Sequence, residues 1–357
     1  MQTTVFSGGI AVSLSAATAH QVVCGCSLVV LLAAVLGGWL VRGSTAVPAA
    51  CWAAAAAALA GWNALCQAAG DVQPASAAVG RVAVAALMVC PIMSLLGAKR
   101  PQHGVWQLIV ATLAVVLALP AASAVLIRPG SFPDLHIIVR FFLPLLVLVG
   151  WMNFIGTRRA VAASLVAVGE FGLIWPLLPG VSLSRAIPQP QIDAAAAAAI
   201  AAGSLVAVSQ SLWAGRRHAL SDHGETAAAS PAAARQQQFV RQIDGCLLPL
   251  RETLGAAWTL RLAERFATLA QQRGWPARLT FRGVQVAGDP ADNSWQRDAA
   301  RAADAVLRRF VSRDWLRRHG WQRPEFGPGP TRPDSGRREN VSPPKQPPPE
   351  TASGHAR

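Results

Sequence analysis

The chain has 357 residues, of which 52% are hydrophobic and only 14% charged, well below the roughly 25% charged residues of a typical soluble protein. Residues 1–215 carry four acidic residues (Asp71, Asp134, Glu170 and Asp193) and nine basic ones, while the remaining 142 carry 14 acidic and 23 basic ones. This split excludes a single soluble domain and separates a lipid-compatible part from a water-compatible one.

The net charge of +14 suits nucleic acid or anionic lipid in principle. Much of it flanks hydrophobic segments, where membrane topology explains it, so nucleic acid is not an expected partner. Arginine outnumbers lysine 30 to 2 and tyrosine is absent, a composition that points to a GC-rich bacterial source. The first 20 residues contain no Lys or Arg, so the basic start of a cleaved signal peptide is missing.

Seven stretches approach the about 20 apolar residues that a membrane span needs: 21–41, 47–67, 82–98, 105–127, 135–155, 160–180 and 194–214. The second and seventh contain the alanine runs Ala53–Ala58 and Ala194–Ala199. Alanine is only mildly apolar but lets helix backbones approach closely, so both are expected to face neighbouring helices. Arg42, then Lys99 and Arg100, then Arg158 and Arg159, then Arg216 and Arg217 follow spans one, three, five and seven. The positive-inside rule places those loops in the cytoplasm and the N-terminus outside. Trp39, Trp106, Trp151 and Trp213 fall near span ends, where amphipathic rings favour the headgroup level. Pro91, Pro120, Pro144 and Pro176 interrupt spans and predict kinks.

Residues 218–231 read as a linker. Beyond them Phe239, Ile243, Leu247, Leu250, Leu254, Trp258, Leu262 and Phe266 recur every three or four residues, one face of a helix, with a kink or split expected at Pro249. Residues 277–287 form the one strand candidate, a short hairpin about Gly283. A last helix is expected over 291–318, with Trp295, Ala299, Ala302, Val306 and Phe310 on its apolar face. Pro, Gly and charge then dominate, which predicts a disordered Pro/Arg-rich tail over 321–357. The expected architecture is an all-α polytopic membrane bundle of about seven transmembrane helices (1–217), then the linker, then a small, mainly helical α+β cytoplasmic domain (232–320). A lone hairpin is marginal in water, so the domain is expected to complete its sheet on a protein partner or on a second copy.

Arg140 and Glu170 are the charges inside predicted spans, where each costs roughly 2.5–3.5 kcal/mol at the centre on insertion scales. If spans five and six are antiparallel neighbours, the two residues lie about 6 Å apart along the axis. They are therefore expected to form an intramembrane polar pair, either a proton or substrate relay or a structural ion pair. Asp134 and His136 precede Arg140 by about a turn and form a possible extracytoplasmic polar cluster. No catalytic residue is identified. No glycine-rich phosphate loop is present, and the cysteines and histidines lack zinc-ligand spacing, so no cofactor or metal is expected. The chain reads as a multi-pass bacterial inner-membrane protein, a non-enzymatic subunit or scaffold of an envelope assembly such as a secretion or conjugation system. The lipid bilayer and proteins bound through the cytoplasmic domain are its expected partners. A small-solute or proton-coupled transporter using Arg140 and Glu170 is the first alternative. A membrane acyltransferase-like enzyme using Asp134, His136 and Arg140 is the second.

Overall fold

A computed structural model describes residues 15–70, 72–97, 103–178, 187–221, 230–287 and 294–321. Asp71, Lys99, Arg100, Arg185, most of the expected linker and the expected tail beyond Trp321 lie outside the described residues.

The chain begins with α1 (Ala16–Leu40), whose first turn is closed by Ser15 Oγ accepting the Thr18 N–H at 3.2 Å. Next come α2 (Val47–Ala68) and α3 (Pro74–Met88), each with proline in its first turn, where a missing N–H costs nothing. Pro91 has no N–H for the Leu87 carbonyl. The helix accordingly breaks at Val89 and resumes as α4 (Cys90–Leu96). Pro120 and Pro144 lie inside α5 (His103–Leu126) and α6 (Ile137–Met152). A 3-10 turn at Trp175–Leu177 ends α7 (Ala160–Ile174), and α8 (Gln189–Ser221) runs for 33 residues.

Among the described residues, six helical segments are long and apolar enough to cross a membrane, not the seven expected. The fifth stretch falls short because Pro133 lies in an extended lead-in over 131–136 and His136 caps α6 only at residue 137. Its 16 helical residues span about 24 Å at 1.5 Å per residue, against a hydrocarbon core of about 30 Å. Trp39 and Trp151 are exposed at helix ends, and Trp213 is exposed where the apolar part of α8 ends. Trp106 instead turns inward and donates its indole N–H to the Met93 carbonyl at 2.7 Å.

Both alanine-rich helices pack on neighbours, α2 against α1 and α8 against α1 and α7. In α7 and α8 the contact is backbone to backbone: a Cβ on Gly169 would lie 2.5 Å from the Ala196 carbonyl oxygen, and one on Gly203 2.7 Å from that of Ala162. Lipid tails supply no hydrophobic drive for helices to associate, so close van der Waals packing holds such a pair together.

The second part of the chain consists of α9 (Pro231–Leu254), α10 (Ala256–Arg273), a hairpin of β1 (Ala277–Thr280) and β2 (Gly283–Val286), α11 (Gln296–Leu307) and α12 (Arg313–Arg318). The strands pair antiparallel, Leu279 opposite Val284 and Thr280 opposite Gly283. Leu247, Leu250, Leu254, Phe266, Val311 and Trp315 are almost wholly buried in the core. The amphipathic segment breaks at Gly255 (φ 85°), six residues after Pro249, which stays inside α9. The last helix is likewise split, because residues 308–312 leave helical geometry to reach the turn after α1. The described residues all belong to one compact unit.

Replacing Gly203 by leucine forces α8 away from α7, and overpacking of this kind costs about 1–3 kcal/mol. A Gly203→Leu protein is expected to melt several degrees lower in detergent, or to fail to accumulate. Gly25→Leu, on a helix surface with open space around it, should melt like the parent. Equal melting of all three proteins would refute the backbone contact.

Candidate functional site: the bundle–domain joint

Two turns of the bundle and the end of α4 meet the domain at three corners. At the first, Asn153 follows α6. Its backbone carbonyl accepts the Ala256 N–H at 2.6 Å, its side-chain Oδ1 accepts the Ala257 N–H at 3.1 Å, and its Nδ2 donates to the Leu254 carbonyl at 3.0 Å. The first N–H groups of a helix need outside acceptors. The N-cap residue of α10 is Gly255, which has no side chain to offer, so Asn153 caps α10 from the other end of the sequence. A Cβ on Gly255 would lie 2.2 Å from Asn153 Nδ2. Glycine is required there both by this approach and by its positive φ.

Three residues of the same turn, Gly156, Arg158 and Arg159, extend the contact. The Arg158 N–H donates to Glu252 Oε2 at 2.9 Å, and Glu252 also pairs with Arg251 at 2.6 Å. Arg251 in turn donates to the Phe281 carbonyl at 3.0 Å and stacks over the Phe281 ring, which lies beside Gly156. Arg159 Nη2 donates to Ser211 Oγ on α8 at 2.6 Å. Burial pulls the Arg159 guanidinium below its ordinary value, and the Glu252 carboxylate opposes that shift.

At the second corner the turn after α1 adds main-chain bonds: Thr45 N–H to the Phe310 carbonyl at 2.9 Å and Ser312 N–H to the Gly43 carbonyl at 2.7 Å. Arg318 donates to the Arg42 carbonyl. Ala46 from this turn belongs to the domain core, and Val41 and Leu95 pack against it. At the third corner Trp258 donates its indole N–H to the Leu95 carbonyl at the end of α4, at 2.8 Å. Arg261 stacks on the Trp258 ring at 4.9 Å. Main-chain groups, the Asn153 amide, the Trp258 indole and the Arg251–Glu252 pair make up this joint. It fixes geometry and contains no nucleophile poised beside a base.

The residues singled out from the sequence lie elsewhere. Arg140 Nε donates to the Leu135 carbonyl at 2.9 Å, in the lead-in to its own helix. It forms no ion pair with Glu170, which has no hydrogen-bond or ion-pair partner among the described residues, so the expected polar pair is not formed. Arginine is long enough to reach back one turn to a free carbonyl, and that local acceptor wins. His136 Nδ1 accepts the Ile138 N–H and so serves as the cap of α6. Asp134 is exposed. No hydrogen bond or ion pair joins Asp134, His136 and Arg140 among the described residues, so the polar cluster does not converge. Among those residues, too, no group of three or more metal-binding side chains comes together.

The pair that does form inside the bundle is Arg81–Asp193, at 3.1 Å between α3 and α8, with Gln189 Nε2 donating to Asp193 at 2.8 Å. Both residues lie one position outside the spans expected from the sequence, 82–98 and 194–214. Asn153 and Gly255 were missed as well, since a lone Asn after an apolar run and a Gly within an amphipathic helix carry no distinctive spacing. No protein-family profile, characterised sequence or solved structure matches the chain.

Burial pushes the Cys246 thiol up to about 12, and the residue is 0% exposed, so it reacts with alkylating reagents only when the domain opens. In a protein keeping Cys246 as its single cysteine, Asn153→Ala is expected to speed that reaction about tenfold, the equivalent of a cap worth about 1.4 kcal/mol. Gly255→Ala should speed it further. An unchanged rate for both variants would show that the joint does not hold the domain closed.

Proposed function

We propose that the chain is a non-enzymatic membrane subunit that presents its C-terminal domain at a set height and angle to the other components of an envelope assembly, such as a secretion or conjugation system, in a bacterial inner membrane. The observation that carries this reading is the three-corner joint. A domain hung on a linker samples many orientations, whereas one held by hydrogen bonds to two inter-helix turns and to the end of α4 presents a single face.

The domain's hairpin supplies the docking element. Asp244 Oδ1 accepts the Val284 N–H at 2.8 Å and so occupies the outer edge of β2. Burial pushes the Asp244 carboxyl up, and this hydrogen bond opposes the shift. The outer edge of β1 has no such partner among the described residues. An extended segment of a partner subunit adds to that edge, with main-chain bonds giving affinity.

In this reading the domain and its side of the bundle are cytoplasmic and the N-terminus is outside. Arg42, Arg158 and Arg159 all lie on turns that touch the domain. At the other end, Arg81 is neutralised by Asp193, and Arg128 shares its loop with Asp134. Excess unpaired arginine on one side is the signature of the cytoplasmic face.

Two measurements test these proposals. With a membrane-impermeant maleimide on intact cells, Gly130→Cys is expected to label from outside and Arg282→Cys only after permeabilisation. The opposite pattern reverses the orientation. A photo-crosslinking residue at the exposed Arg278 on β1 is expected to trap one defined protein in native membranes, and one at the exposed Gln272 on α10 to trap none. Equal trapping at both positions, or none at either, removes the β1 edge as a docking site.

A further inference from the structure

Glu170 lies about 15 Å along α7 from the domain-side end of that helix at 1.5 Å per residue. Its direction follows from its neighbours. Val161 and Val168 mark the outer face, at 63% and 67% exposure. Gly169 faces α8. Ala167 and Ile174, three residues before and four after Glu170, share its face. Both pack in a cluster with Met88, Val89, Leu143 and Val147 from α3, the α3–α4 break and α6, and Ile174 is 0% exposed. Glu170 therefore lies on the inward-turned side of α7 and is half-buried there.

The titratable and charged groups on the described elements around it are all engaged elsewhere. Arg140 on α6 is bonded to the Leu135 carbonyl, and Arg81 on α3 is paired with Asp193 on α8. Cys90, at the start of α4, donates to the Ala86 carbonyl at 3.3 Å. Arg159, at the start of α7, is bonded to Ser211. Glu170 is the one carboxylate in a described span with neither an ion pair nor a hydrogen bond among the described residues. An isolated charge in such surroundings takes up a proton rather than remain ionised.

We infer that Glu170 is a proton-binding site inside the membrane bundle. The ligand is a proton and not a metal ion, because the flanking Ala167, Leu173 and Ile174 and the facing Leu143 and Val147 supply no second oxygen donor. Release of the proton requires water to reach the inner face of α7. Loss of the proton is thus coupled to opening of the bundle, a property beyond the anchoring role.

The test uses the full chain in proteoliposomes and dicyclohexylcarbodiimide, an apolar reagent that modifies carboxylic acids in their protonated form. At neutral pH it is expected to leave an adduct on the peptide carrying Glu170, more slowly as pH rises, and none in Glu170→Gln. That variant replaces one neutral group by another and is expected to melt at the parent temperature. A Glu170 peptide that stays unmodified in the folded protein overturns the inference. So does a fall of several degrees in the melting temperature of Glu170→Gln, which would mark an ionised carboxylate losing its counter-charge.

Discussion

Asn153 closes α6 with its backbone and opens α10 with its side chain. A helix end presents carbonyls without partners, and a helix start presents N–H groups without partners. Setting one against the other satisfies both without water. The consequence is geometric: α10 begins where α6 stops, and the helix too short for the bilayer by length is the one to which the domain is bolted. The contacts around Arg158 and Glu252, and the main-chain bonds of the turn after α1, tie the domain to the bundle at further points.

The two halves of the chain are held by different forces, and their residue types reflect it. In the bundle, small side chains bring helices together: Gly169, Gly203 and the alanines of α2 and α8 let backbones touch. In the domain, large ones do the work, with Phe266, Trp315 and the α9 leucines burying apolar area that water drives inward. The joint belongs to neither regime. It combines backbone bonds with one tryptophan whose ring is in the domain core and whose N–H reaches the Leu95 carbonyl of the bundle. A domain core that includes Ala46 from the bundle is a core that depends on the bundle to be complete.

Partner choice among polar groups in the bundle follows proximity along the chain as much as charge. Arg140 settles on a carbonyl one turn away instead of crossing to Glu170, while Arg81 crosses to Asp193 because α3 and α8 bring the two side chains to one level. The outcome leaves Glu170 without a counter-charge among the described residues. The cost of that arrangement in a low-dielectric interior is avoided by protonation.

By itself the sequence determined the membrane character of residues 16–214, the helical nature of both parts, the inward packing of the alanine runs and the hairpin at 277–286. Each rests on composition or on periodicity, which are properties of local stretches. Apolar length reports on solvent, and a repeat of 3.6 or 2 reports on which face is buried. Tertiary structure alone decided that the fifth apolar stretch yields only a 16-residue helix, that Gly255 and not Pro249 breaks the amphipathic segment, and that Asn153 caps a helix about 100 residues away. Those outcomes depend on which backbone groups from distant parts of the chain meet, and a hydrogen bond between two such groups leaves no period in either local sequence.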